Sequence, residues 1–305
     1  MPIALLTEPL SSLLANFFMA VVVPGFFKNT VAPGHVEQRG PFEISLRPQR
    51  KKRPGAPQLC DFGPTKPSGS HCRFDCAFEE TNPDHEWSIA RRPWFGIEHK
   101  SRFSAAIPNG SPYIDEPNYL LVPAEIDASS IRYPHEPQSL DPEWVANMLA
   151  AATGLGNGWA VGWNTLGAGA TVDHRHSHLL QCAPLPCEKL LRLTVGDYKY
   201  AFGWPAGNLV MEDASADRLW CFAERLQKDG VPFNILIRNK TAFVFGRRVG
   251  CELVAEFPAV MGLMELSGRA LVSDASVYDA LTAELLAIAM RKTTVSTEEL
   301  FNIVR

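Results

Sequence analysis

The chain has no strong charge of either sign. Its 29 Lys and Arg stand against 33 Asp and Glu, a formal net charge of −4 over 305 residues. No basic field invites a polyanion, so nucleic acid is not an expected partner. Cysteine is sparse: 7 in this length, an odd number without disulfide-scaffold density. Reduced thiols and a cytoplasmic setting are therefore expected. The spacings Cys72-x3-Cys76 and Cys182-x4-Cys187 match the usual zinc knuckles poorly. No uninterrupted apolar run reaches the ~20 residues of a membrane span. The most apolar stretch, residues 1–27, is broken by Glu8, Asn16 and internal prolines. It also lacks the basic start and small-residue cleavage site of a signal peptide. It is expected to be an apolar helix docking on the body or on a second subunit, which leaves a homodimer open, with a membrane-surface contact as the lesser alternative.

What the chain does have is turns, with 24 prolines and 22 glycines. Residues 28–75 read as irregular, rich in basic residues, Pro, Gly and Ser. From about residue 86 the pattern becomes regular. RFSAAIP and NYLLVPA look like strands joined by NGSPYIDEP, a loop dense in turn formers. Asp141 followed by Pro142 marks a helix start, and Gly154 is placed beyond its end. Its apolar face would be Trp144, Val145, Met148, Leu149 and Ala152. WAVGW (159–163) reads as a buried strand leading into a glycine loop, NTLGAGA. Further on come a helix over 213–230, the hairpin FNILIR–NK–TAFVFG and a helix over 275–291. Ser296 and Glu299 then have capping-box spacing for a last short helix. Helices and antiparallel strands are segregated rather than alternating, which predicts an α+β fold.

Eight histidines are few, and three of them stand at every second position in GATVDHRHSHLLQ. In an extended strand His174, His176 and His178 share a face, roughly 7 Å between neighbours. Arg175 and Ser177 take the other face. Such a row suits a metal site, a nucleophilic or acid–base cluster, or a plain solvated strand. A metal would want a carboxylate or thiolate to complete it, and Asp173 falls on the wrong face. The preceding residues favour chemistry at phosphorus. Asn164, Gly167, Gly169 and Thr171 form a loop whose N–H groups and short polar side chains can approach an anion. A hairpin from 159–163 to the histidine strand would hold that loop at one end of the row.

HRHSHLL resembles the histidine-triad signature. The longer stretch VGWNTLGAGATVDHRHSHLL resembles the active-site segment of the galactose-1-phosphate uridylyltransferase group, and within it the phosphorylases of GDP-D-glucose and GDP-L-galactose. Upstream, NGSPYIDEPNYLLVP resembles the family's Asn-x-Ser-Pro loop and the strand after it, and downstream FNILIRNKTAFVFGRR and GLMELSGRALV resemble its second, histidine-free half. The chain departs from the pattern at Arg175 and Ser177, where the family is apolar. It departs again at Pro117-Asn118, where the family has Gly-His, and at CDFGPT (60–65), where an Asn is expected.

The resemblance implies an antiparallel sheet with helices, built from two related halves that share one active site. An irregular N-terminal region would span 1–85, a catalytic half 86–200 and a histidine-free half 201–305. It implies a nucleotidyltransferase whose central His176 attacks the α-phosphorus of an NDP-hexose, with GMP as the nucleotide carried. His174 and His178 would orient the nucleophile and assist the leaving oxygen, while Asn164, Gly167, Gly169 and Thr171 hold the nucleotide phosphate. Inorganic phosphate would discharge the nucleotidyl-histidine, with no cofactor and no metal required. Arg247 and Arg248 read as phosphate ligands or, more simply, as solvated surface arginines. Three alternatives stay open: a histidine-triad hydrolase, a dinucleoside-polyphosphate phosphorylase and a non-catalytic nucleotide-binding protein.

Overall fold

The computed structural model describes residues 35–48, 95–99, 102–109, 117–126, 131–132, 134, 136–170 and 173–305, and among them are fourteen strands, six α-helices and one 3₁₀ turn, Pro186–Lys189. The expectations for the apolar N-terminus, for Cys72 and Cys76, and for Thr171 lie outside these residues. In chain order the elements begin with β1 (His35–Arg39), β2 (Phe42–Leu46), β3 (Phe95–His99), β4 (Arg102–Pro108), β5 (Asn118–Ile126) and β6 (Ile131–Arg132). Helix α1 (Pro142–Leu155) precedes β7 (Trp159–Asn164) and β8 (Ser177–Gln181). Then follow β9 (Arg192–Val195), β10 (Tyr198–Ala201), β11 (Leu209–Met211), α2 (Ala216–Lys228), β12 (Phe233–Arg238) and β13 (Thr241–Gly246). The chain continues through α3 (Leu263–Leu266), β14 (Arg269–Val272), α4 (Ala275–Ala280), α5 (Ala283–Thr293) and α6 (Thr297–Val304).

Eleven strands form one sheet in the order β3-β4-β5-β8-β7-β12-β13-β11-β10-β9, with β6 paired to β5, and every pairing is antiparallel. Central strands β7 and β12 are buried along their whole length, so their sequences read as near-continuous apolar runs. One face packs Val161, Trp163, Leu179, Ile235 and Ile237 against α1, α2 and α6. On the other face Ala160, Leu180, Leu236, Phe243 and Phe245 meet a second layer. That layer is the small sheet β1-β2-β14 with α3 and α5, contributing Phe42, Ile44, Leu263, Leu271, Leu286 and Met290. The predicted α+β class holds. Among the described residues no helix is long and apolar enough to cross a membrane.

Residues 35–46, expected to be irregular, form β1 and β2, because Phe42 and Ile44 bury in the core beside β14; several boundaries also differ from expectation, each for a local reason. Helix α1 starts as predicted, with Asp141 accepting from the Trp144 N–H, but it runs through Gly154 to Leu155. The chain needs a positive φ only at Gly156 (77°), which ends the helix. Asp213 has φ 49°, so α2 begins after it, capped by Ser215. The helix expected over 275–291 is two, because Thr282 turns extended and caps α5 by accepting from the Leu285 N–H. The capping box at Ser296 and Glu299 is present and opens α6. Cys182 and Cys187 are buried thiols, both pushed up in pKa by burial. Cys182 lies within reach of the Arg238 guanidinium, 3.5 Å away.

Candidate active site

β7 and β8 form the expected hairpin, pairing Gly162 with His178 and Val161 with Leu179. The loop between them starts at Asn164. Thr165 anchors it by exchanging hydrogen bonds with Phe233: its hydroxyl accepts from the Phe233 N–H at 2.8 Å, and its own N–H donates to Phe233 O at 3.1 Å. Ala168 and Ala170 both donate back to Thr165 O, a tight turn that requires positive φ at Gly167 (78°) and Gly169 (93°). A side chain at Gly169 would also press on the Gly262 Cα, 3.1 Å from an added Cβ.

The histidine strand begins later than expected. β8 starts at Ser177, so His174 and His176 precede it. The reason is where the backbone donors go. Arg175 N–H donates to Glu136 O at 2.8 Å, and His176 N–H donates to Gln138 Oε1 at 2.8 Å. Segment 136–138 takes the place a neighbouring strand would have held. Gln138 then donates through Nε2 to His176 O (3.1 Å) and to Asn164 O (2.8 Å), joining histidine segment and glycine loop with one side chain. Asp173 fixes Gln138 in turn by accepting its N–H at 2.9 Å. Gln138 sits in a stretch without periodicity, and the sequence offered no sign of it.

All three histidines are buried, His176 the least so at 7 % exposed. The rings of His176 and His178 meet edge to face, centroids 5.2 Å apart. His174 reaches His176 through its carbonyl: Nδ1 of His176 lies 2.7 Å from His174 O. A carbonyl only accepts, so Nδ1 carries the proton and Nε2 carries the lone pair. That tautomer suits a nucleophile.

Arg175 and Ser177 do turn to the other face, as the period of two requires, and both are buried within the chain. Ser177 Oγ accepts from Trp144 Nε1 at 3.0 Å. Arg175, 5 % exposed, pairs with Asp141 (2.5 Å) and Glu136 (2.6 Å) beside the Trp144 ring. The polar departures from the family pattern thus rivet the histidine segment to the start of α1.

Beside Asn164 lies a residue the motif reading missed. Asn234 of β12 is its register partner and is fully buried. Its Nδ2 donates to Asn164 Oδ1 and to Ala168 O, both at 2.6 Å. Its Oδ1 accepts from Arg247 Nη1 at 3.2 Å. Arg247 is not a surface arginine. It is 1 % exposed and held by Met261 O (2.6 Å) and Thr293 O (3.1 Å). Desolvation pulls its pKa down to about 10, so it stays a cation at neutral pH. Arg248 is the exposed member of the pair, bound to Glu299. An apolar run interrupted by a lone Asn was the available signal for Asn234. The N–H of Gly169, expected to meet phosphate, is held here by Glu252 Oε1 at 2.6 Å.

The sheet, its two flanking layers and the hairpin carrying the histidines make up an α+β fold that is similar to known structures. The structures it matches include those of yeast Ap4A phosphorylase Apa2. With Ap4A bound, that structure has a TM-score of 0.64 and 15% sequence identity, covering 94% of this chain and 97% of the other. The AMP complex gives 0.64 and 15%, covering 95% and 98%. A further Apa2 structure gives 0.63 and 15%, covering 94% of each chain. At that identity the likeness is one of fold. No family model matches the chain, and no curated protein matches it.

Proposed function

We propose that the protein is a phosphorylase that transfers a nucleoside monophosphate through a covalent nucleotidyl-His176. One observation carries the reading: the His174 carbonyl on Nδ1 of His176 sets the ring with its lone pair on Nε2, in a segment clamped to a glycine loop. Nε2 attacks the α-phosphorus, the P–N bond forms, and the bond from phosphorus to the bridging oxygen breaks. The resulting imidazolium keeps its Nδ1 proton on the His174 carbonyl, so no base is needed in this step. An oxygen of inorganic phosphate then attacks the same phosphorus, the P–N bond breaks, and a nucleoside diphosphate leaves. His178, edge-on to the nucleophile, assists the leaving oxygen. His174, through its ring, and Asn164, Gly167, Gly169 and Thr171 serve the phosphate. The catalytic half spans 86–200, and the histidine-free half 201–305 supports it.

For the donor, the likeness to Ap4A phosphorylase over nearly the whole of both chains favours a dinucleoside polyphosphate. The GDP-hexose reading keeps one specific support, the resemblance of the segment from Val161 to Leu180 to the phosphorylases of GDP-D-glucose and GDP-L-galactose. One experiment tests both. With Ap4A and no phosphate, the enzyme should release about one ATP per active site and stall, leaving an acid-labile nucleotide on the protein. Phosphate should discharge it as ADP. A burst of hexose 1-phosphate with GDP-glucose, and none with Ap4A, would instead establish the sugar nucleotide as donor. Continuous AMP or GMP release without phosphate would make the protein a hydrolase, and no release from either substrate would overturn the proposal.

A further inference from the structure

Arg247, buried on the histidine face of the sheet, reaches the glycine loop through Asn234. Nothing in the chemistry above calls for it. A fully buried cation is costly to keep. This one is not even saturated, since its Nη2 has no hydrogen-bond partner among the described residues. Glu252 and Glu265 offset its charge only at a distance.

The bonds around it run in one direction. A guanidinium can donate and never accept. Its Nη1 contact therefore fixes Oδ1 as the atom of Asn234 that faces it. Nδ2 of Asn234 must then point the other way, where it donates to Asn164 Oδ1 and Ala168 O. With Oδ1 of Asn164 committed as an acceptor, its Nδ2 is left to face away as a donor. We infer that Arg247 and Asn234 are positioning residues: a one-way relay from a buried cation that holds the Asn164 amide with its N–H side toward the transferred phosphoryl group. The inference rests on the nucleotidyl-transfer reading and adds to it a reason for the second hairpin. An amide rotated by half a turn would offer its oxygen to a phosphoryl oxygen and repel it. Asparagine alone has no means of choosing between the two orientations; Arg247, which can only donate, and the Ala168 carbonyl, which can only accept, make the choice from opposite sides. The same Asn234 donor pins Ala168 O, so loop shape and amide orientation are set together.

Asn234→Asp tests this with little loss of packing. The carboxylate accepts from Arg247 as before but has no donor, so Asn164 must turn its Nδ2 toward position 234 and its Oδ1 toward the substrate. On whichever of Ap4A or GDP-glucose the wild type turns over, kcat should fall about 10²-fold or more, the loss typical of one transition-state donor. KM should change less than about threefold, and the melting temperature should stay within a few degrees. Selectivity between the Rp and Sp α-phosphorothioates of that substrate should collapse toward one, which a merely structural role would not cause. Arg247→Gln is the second variant, in case the first fails to fold. A glutamine can donate or accept and so passes on no direction, and about a tenfold loss of kcat with weakened stereoselectivity is expected. Wild-type kcat and stereoselectivity in a folded Asn234→Asp protein would overturn the relay and leave nucleotidyl transfer standing. A wild type that turns over neither substrate would bring down both.

Discussion

The two hairpins that meet at the middle of the large sheet, β7–β8 and β12–β13, have strands of five or six residues, adjoin through β7 and β12, and bury nearly every side chain. They differ in what they spend on polarity. β7–β8 carries the glycine loop and the end of the histidine row, with Asn164, His176 and His178 close to one another. β12–β13 is closed by a two-residue turn with Asn239 at φ 53°, and two of its buried polar groups, Asn234 and the adjoining Arg247, serve the neighbouring hairpin. A motif concentrates in one hairpin while the groups that orient it sit in the next. The lesson is that the absence of histidines from the second half does not make it inert.

That comparison can be broken in three places. The largest effect is expected at His176→Ala, which removes the proposed nucleophile and should lower kcat by at least about 10³-fold, roughly 4 kcal/mol of barrier. The melting temperature should move only slightly, and loss of the acid-labile nucleotide adduct checks it by mass. Retention of a tenth of the activity would place the nucleophile elsewhere. Next is Ile237→Ala in β12. This side chain is fully buried on the face away from the histidines, so truncation should cost about 3 kcal/mol in denaturant unfolding. Turnover by the folded fraction should be unchanged. A matching loss in kcat would show that core packing, rather than the polar relay, couples the hairpins. The smallest is Arg175→Leu. Its carboxylate partners are partly exposed, with side-chain exposures of 22% for Glu136 and 33% for Asp141, and can hydrate when abandoned. About 2 kcal/mol is expected, below the cost of breaking a wholly buried pair. Amide exchange should quicken first at 174–177, where the segment comes loose from α1.

Much of this architecture was legible because it follows from local chemistry. Asp141-Pro142 starts a helix wherever it stands before an apolar stripe, and the glycine loop between two apolar runs closes a hairpin. The period of two correctly sent Arg175 and Ser177 to the face opposite His176 and His178. What stayed hidden depends on distant partners. The late start of β8 follows from Gln138, a side chain in an irregular stretch that replaces a strand's backbone. Arg247 looked like a solvated basic residue because burial of a charge is decided by Met261, Thr293 and Asn234, which no local pattern brings to it. Asn234 sits in a strand otherwise apolar throughout, and only its register against Asn164 gives it a purpose. Gly169 was read as an anion donor. Glu252, an anion of the protein's own, meets that donor from 83 residues along the chain.

The parallel pairing of β14 with β2 bears on how the protein is made. Arg269 meets Glu43 across that pair at 2.8 Å, a sequence separation of 226. At ribosomal speeds of about 5–20 residues per second, β2 waits roughly 11–45 s for its partner to emerge. During that interval Phe42 and Ile44, both destined for the core, have no strand to cover them, and the β1–β2 hairpin is too small to hold itself together. The layer that covers the histidine face therefore closes last, after the eleven-stranded sheet has had its strands available for pairing. Chaperones are expected to meet that uncovered surface while it lasts, and slowing translation near residue 270 should lengthen the exposure without altering the folded product.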